Sequence, residues 1–116
     1  MSDDYLVNRV LSTSSGLVGR SLNAIGPHHI IIDSPSVAEE ITSGDAFLAG
    51  ISSCGVNLCE RVARELAIPV RRMEVAIAGY RHRQRSADFE RIEIGFRIEG
   101  VSQAQAETLV GRWTAG

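Results

Sequence analysis

Cysteines are the residues of greatest chemical interest in this 116-residue chain, which has only two of them. Cys54 stands in the segment SSCG, and Cys59 follows five residues later. A cysteine is either a small buried apolar residue or, where a cation or hydrogen-bond donor lowers its pKa, a reactive thiolate. Arg61 is about two helical turns from Cys54, too far for direct pairing. Any activating group must therefore come from elsewhere in the fold.

Helical geometry keeps the two thiols apart. Five residues turn a helix by about 500°, so the side chains of Cys54 and Cys59 point about 140° apart. A disulfide needs Cα atoms within about 7 Å and converging Cβ directions. The two cysteines cannot bridge within an intact helix, and we interpret Cys59 as structural.

Other reactive side chains form no recognisable site. His28 and His29 are adjacent on a predicted strand and point to opposite faces, and no cysteine pair has metal-ligand spacing. We therefore expect no metal and no other cofactor. Arg81 to Arg85 form a basic cluster that could receive an anion or an acidic partner, but we favour a solvated hairpin tip. The glycine patterns of nucleotide-binding loops and of the serine nucleophile elbow are absent.

Composition narrows the class of protein. Apolar residues make up 44% and charged residues 22% of the chain, and the formal net charge is −2. This balance excludes affinity for nucleic acid built on many phosphate contacts. No apolar run approaches the roughly 20 residues that cross a bilayer, and the acidic N-terminus leads into no signal segment. We expect a cytoplasmic protein with free thiols and with neither nucleic acid nor membrane as a partner.

Strands and one long helix must position these residues. We predict strands at 5–11, 17–22 and 28–33, with a turn at 12–16, and a helix at 45–67 capped from residues 42–45. The helix would be roughly 35 Å long, a central support for the sheets. Its apolar stripe comprises Phe47, Ile51, Cys54, Leu58 and Val62.

The second half alternates more cleanly. Apolar residues recur with period two at 73–78 and 92–98, joined by a polar hairpin loop at 81–88. Ser102 and Gln105 match a capping box before a second helix. The order of elements predicts an α+β fold with mainly antiparallel sheet in a single domain, 1–116. So long an apolar helix with so few strands also predicts a homodimer.

Four segments together resemble the OsmC/Ohr family. Residues 44–54, GDAFLAGISSC, resemble the start of that family's central helix, and 60–69, ERVARELAIP, resemble its end. Residues 75–79 and 89–100 match the next two strands. The resemblance covers roughly residues 28–115.

The resemblance implies an OsmC-like intertwined homodimer, in which the N-terminal strands of each chain complete the sheet of the other. It also implies a peroxidatic cysteine that attacks a hydroperoxide and becomes a sulfenic acid, held as thiolate by an arginine paired with a glutamate. Cys54 matches the peroxidatic position, and Asp45 matches the acidic residue of the helix opening. Gly44 stands where the glutamate is expected, and Arg20 is the candidate arginine. Arg20 or a histidine of the 28–29 pair would have to reach the thiol.

The family's second, resolving cysteine is expected just after the last residues, so we expect the C-terminal part of the fold to be missing or the disulfide cycle to be absent. The leading hypothesis is a protein of oxidative-stress defence that reduces organic hydroperoxides with Cys54 and an external thiol reductant. The alternative is a non-enzymatic member that binds a small apolar ligand or a protein partner at the dimer cleft.

Overall fold

The computed structural model describes residues 4–115, and the chain divides into two units, Met1–Ala46 and Phe47–Gly116. Five strands and two helices are present in the described residues, and every strand pairing is antiparallel. The predicted α+β class is confirmed. The elements are β1 (Leu11–Ser14), β2 (Arg20–Ile25), β3 (His28–Asp33), α1 (Ser43–Glu65), β4 (Arg72–Tyr80), β5 (Arg91–Glu99) and α2 (Gln103–Ala115).

The first unit contains a three-stranded sheet in the order β1-β2-β3. The predicted strand at 28–33 is confirmed, the one at 17–22 begins three residues before the observed β2, and the one at 5–11 is wrong. Residues 5–10 form no strand, and the predicted turn at 12–16 is largely β1. The hydroxyl of Ser12 donates to the side chain of Asn23 on β2, so this polar segment has a partner. The turn instead follows at 15–19, where Gly16 and Gly19 adopt φ values of +97° and +95°.

Helix α1 begins two residues earlier and ends two residues earlier than predicted. The Thr42 hydroxyl accepts a hydrogen bond from the Asp45 amide at 3.2 Å, which confirms the predicted cap. At the other end Ala67 has a φ of +54°, and the Ile68 amide donates to the Ala63 carbonyl at 2.8 Å. This left-handed residue closes the helix before Pro69.

The buried face of α1 coincides with the predicted apolar stripe only in part. Val62 is buried and Leu58 packs against the core, but Phe47 and Cys54 are exposed, so the buried face is offset from the first half of the stripe. Small side chains explain the offset, because a Cβ added at Gly55 would lie only 3.3 Å from the Phe96 ring of β5. The buried residues of α1 are Gly55, Cys59, Val62 and Ala63.

The second unit pairs β4 with β5 from Arg72↔Glu99 to Tyr80↔Arg91, with the predicted polar loop between them. The capping box of α2 is confirmed: the Gln105 amide donates to the Ser102 hydroxyl at 3.1 Å, and the Ser102 amide donates to the Gln105 side chain at 2.9 Å. The cap holds α2 where Leu109, fully buried, completes a core with Cys59, Val62 and Ala63.

Candidate functional site

Arg20 and Asp33 form a two-pronged ion pair across the hairpin of β2 and β3. The two residues are direct partners in the strand register. Arg20 donates from Nε to Asp33 Oδ1 at 2.7 Å and from Nη2 to Oδ2 at 2.8 Å. This fork geometry is the strongest arrangement available to a guanidinium and a carboxylate. The hairpin thus fixes the direction of the arginine side chain.

The Asp33 carboxylate is fully buried and accepts two further hydrogen bonds. They come from the backbone amides of Glu39 at 3.1 Å and Glu40 at 2.8 Å. The hydrogen bond from Arg20 outweighs the opposing effect of burial and, with these amides, holds the pKa of Asp33 well below its usual range. Asp33 therefore links the arginine to the loop that precedes α1.

Arg20 keeps part of its guanidinium free. Nη2 also donates to Glu39 Oε1 at 3.0 Å, whereas Nη1 makes no hydrogen bond within the described part of its unit. The hydrogen bond to Asp33 raises the pKa of Arg20 above its already high value, so the side chain stays cationic. It lines an open cleft of about 310 Å³ with the hydroxyl-bearing Ser21, Ser34 and Ser43. The arrangement offers an anion or an oxygen atom a fixed positive charge.

The Asp45 carboxylate contacts the cap of α1 and is not a partner of Arg20. It accepts a long hydrogen bond, 3.5 Å, from the Thr42 amide, in return for the cap that Thr42 provides. Arg20 is paired with Asp33 and Glu39 instead. A role for Asp45 in the site stays a prediction.

Cys54 lies in the second unit, near the middle of α1, and is a free, exposed cysteine. Within the described part of that unit its thiol makes no hydrogen bond, and it is not enclosed by aliphatic side chains. Neither of the two expected surroundings, a bound cation or an aliphatic pocket, is thus formed by the unit that carries it. Its role stays a prediction.

Cys59 has the opposite environment. It is fully buried, and its thiol donates to the Leu109 carbonyl at 3.5 Å. Burial, followed by the neighbouring Cys54, raises the pKa of the Cys59 thiol. This environment supports the structural interpretation and makes Cys59 a poor nucleophile.

Sequence reasoning missed Asp33 and Glu39 as the partners of Arg20. A usable signal was present, because a two-residue turn at Gly26-Pro27 pairs Ile25 with His28. Counting outward along the hairpin then places residue 20 opposite residue 33.

Solved structures of low sequence identity share this fold. An OsmC-like protein from Mycoplasma pneumoniae matches with a TM-score of 0.82 and 12% identity, over 94% of this chain and 81% of that one. An organic hydroperoxide resistance protein OsmC from Legionella pneumophila matches at 0.74 and 14%, over 95% and 83%. The organic hydroperoxide resistance protein OhrB of Bacillus subtilis matches at 0.62 and 16%, over 95% and 84%. This chain has the OsmC/Ohr fold.

The OsmC/Ohr fold confirms the resemblance drawn from residues 28–115. No protein-family model and no curated protein sequence matches the chain, so the likeness rests on structure. Among residues 4–115, no helix has the length and apolar character needed to span a membrane. Nor does that part of the chain group three metal-ligating side chains of the His, Cys, Asp or Glu type.

Proposed function

We propose that this chain is a thiol-dependent peroxidase that reduces organic hydroperoxides in oxidative-stress defence, with Cys54 as the peroxidatic thiol. The observation that carries the proposal is an exposed cysteine on the long helix of an OsmC/Ohr fold, while the second cysteine is locked in the core. Structural neighbours from Legionella pneumophila and Bacillus subtilis are named organic hydroperoxide resistance proteins.

The proposed reaction balances with two equivalents of an external thiol. The Cys54 thiolate attacks the outer oxygen of the hydroperoxide, an S–O bond forms, and the O–O bond breaks. The alkoxide takes a proton and leaves as the alcohol, and Cys54 becomes a sulfenic acid. One thiol then condenses with the sulfenic acid to give water and a mixed disulfide, and a second thiol releases Cys54 and a free disulfide. Such a cycle needs no resolving cysteine, and it suits a cytoplasmic setting where small thiols are reduced.

Arg20 is the proposed activating cation. A guanidinium beside a thiol favours the thiolate, and Arg20 carries an Nη1 group that no described residue of its unit occupies. Gly44 replaces the glutamate expected to orient the arginine, and Asp33 and Glu39 supply carboxylates in its stead. The proposal brings the Arg20 guanidinium to the Cys54 thiol, from the same chain or from the partner copy, and keeps Asp45 as the acidic residue of the helix opening, about 13 Å along α1 from Cys54.

A homodimer is part of the proposal. The buried apolar core of the described residues consists of four residues, few for a chain of this length. Large apolar side chains remain exposed in both units, among them Leu6, Leu11, Val18, Phe47 and Ile94. A second copy of the chain would cover such surface.

Turnover tests the function. Purified protein is mixed with cumene hydroperoxide and a dithiol reductant, and peroxide consumption is followed in wild type, Cys54→Ser and Cys59→Ser. We expect wild type and Cys59→Ser to turn over and Cys54→Ser to lose at least about a hundredfold in rate. Equal rates in wild type and Cys54→Ser, or no turnover in either, would reject the proposal and leave the non-enzymatic alternative.

A further inference from the structure

The loop between β4 and β5 folds back over its own hairpin and presents an aromatic ring to α1. The ring of Phe89 occupies the place that a side chain on Gly79 would fill, so a Cβ there would overlap it. Phe89 stacks on Phe47 of α1, with ring centroids 6.2 Å apart and planes 15° from parallel. The absence of a side chain at Gly79 is therefore what admits the aromatic pair.

Arg81, in the same loop, lies over the Phe89 ring. Its guanidinium carbon lies 5.5 Å from the centroid of the Phe89 ring, and its Nη1 donates to the Ser86 carbonyl at 3.3 Å. The Phe89 ring is thus held by Phe47, by Gly79 and by Arg81. These contacts fix the position of the ring at the end of the hairpin. The ring is not part of the buried core, which consists of Cys59, Val62, Ala63 and Leu109.

Phe47 and Cys54 lie on one face of α1. They are seven residues apart, which brings their directions to within about 20° and separates them by roughly 10 Å along the axis. Ile51, half-buried, lies between them. Phe47 is 55% exposed, although it is stacked on one side. An apolar row therefore runs along the helix from the aromatic pair to the exposed thiol.

We propose that Phe89, supported by Phe47, is a specificity-determining residue: it contacts the organic group of a compound whose reactive atom is at Cys54. Such a molecule would extend from the thiol past Ile51 toward the aromatic pair, along the roughly 10 Å that separate Cys54 and Phe47 on the helix axis. Hydrogen peroxide has no group that can make this contact. The inference rests on the proposed function for Cys54 as the reacting thiol, and it names the part of the chain that selects bulky aromatic substrates.

Two readouts test this assignment. The first is the ratio of kcat/KM for cumene hydroperoxide to that for hydrogen peroxide, in wild type and Phe89→Ala. We expect the ratio to fall about tenfold, through the KM for the organic peroxide, because an apolar contact of this size is lost. The second is the ratio of Cys54 alkylation rates for N-phenylmaleimide and N-methylmaleimide, measured in a Cys59→Ser background. This ratio should also fall, and it requires no peroxidase activity.

Matched variants separate the contact from general damage. Tyr80→Ala is the control, because it removes an aromatic ring that is next to Gly79 in sequence. The guanidinium carbon of Arg91 lies 4.0 Å from the centroid of the Tyr80 ring. This variant should leave both ratios unchanged. Phe89→Leu keeps an apolar side chain and should restore most of the maleimide selectivity. Gly79→Ala displaces the ring without removing it and should lower the ratio, which covers the case of a poorly folded Phe89→Ala.

The outcomes distinguish the two proposals. A maleimide ratio that is the same in wild type, Phe89→Ala and Gly79→Ala overturns the role of Phe89, whatever the peroxidase assay gives. A maleimide ratio that falls in a protein inert toward both peroxides supports the aromatic contact and rejects the peroxidase function.

Discussion

At the scale of single residues, Asp33 is the most strongly held charged group that the structure describes around Arg20. Four hydrogen bonds reach its buried carboxylate, two of them from one guanidinium. A buried carboxylate is stable only when it is paired and hydrogen-bonded in this way. Asp33 therefore has two structural roles: it orients the Arg20 side chain, and it holds the backbone of the loop at residues 39–40.

The lowered pKa of Asp33 predicts a pH-dependent contribution to stability. Because the folded chain holds this pKa below the ordinary value of about 3.9, the ionised carboxylate stabilises the fold in full above that pH. The contribution begins to decline below that pH, since the unfolded chain then binds the proton more readily, and it is lost only as the pH falls through the much lower pKa of the folded state. We expect Asp33→Asn to lower the thermal midpoint at about pH 7 by on the order of 5 °C, and by clearly less at about pH 2.

Thermal unfolding followed by circular dichroism measures the difference in midpoint between wild type and Asp33→Asn at each of the two pH values. Glu39→Gln is the control. Glu39 is 71% exposed and its removal should change the midpoint little. An equal loss for Asp33→Asn at both pH values would show that the ion pair does not stabilise the fold as described.

At the scale of elements, the sequence predicted the features that depend on residues close together in the chain. The capping boxes, the alternation of β4 and β5 and the antiparallel class depend on neighbouring residues, and all were predictable. The first sheet was less so, because Ser12 and Ser14 have the composition of a turn and become a strand only through pairing with β2. The buried face of α1 depends on Phe96 and Trp113, which approach Gly55 from distant parts of the chain.

The α2 cap gives a prediction at this scale. Ser102 satisfies a first-turn amide of the helix that carries Leu109 into the core. Ser102→Ala should lower the free energy of unfolding by about 1 kcal/mol, as measured by urea denaturation. Thr108→Ala, which removes an exposed hydroxyl bonded to the Ala104 carbonyl, should change it by less than about 0.5 kcal/mol. Equal effects of the two variants would contradict a specific role for the cap.

At the scale of the whole molecule, the order of the elements was enough to predict the fold class. It was not enough to predict which residues surround Arg20. The setting of Cys54 in residues 44–54 made it a candidate, and its role stays a prediction. The partners of Arg20 were not identified, because they depend on the register of a hairpin whose first strand was misplaced by three residues. The small core and the exposed apolar side chains favour the proposed homodimer over an isolated chain.

Sedimentation tests the assembly. We expect a homodimer at micromolar concentration, with an interface well over the roughly 1,200 Å² lower bound of stable complexes, because one chain leaves residues such as Leu11 and Phe47 largely uncovered. Analytical ultracentrifugation over a dilution series measures the mass directly. A monomer across the micromolar range would reject the dimer.

The central claim, that Cys54 is a peroxidatic thiol, is tested most directly by a stoichiometric titration. Protein is treated with one equivalent of cumene hydroperoxide, remaining thiols are counted, and sulfenic acid is trapped and located by mass spectrometry. The account predicts loss of one free thiol per chain, with the trapped adduct on Cys54, Cys59 intact, and no loss in Cys54→Ser. An unchanged thiol count in wild type, or an adduct on Cys59 instead, would contradict it.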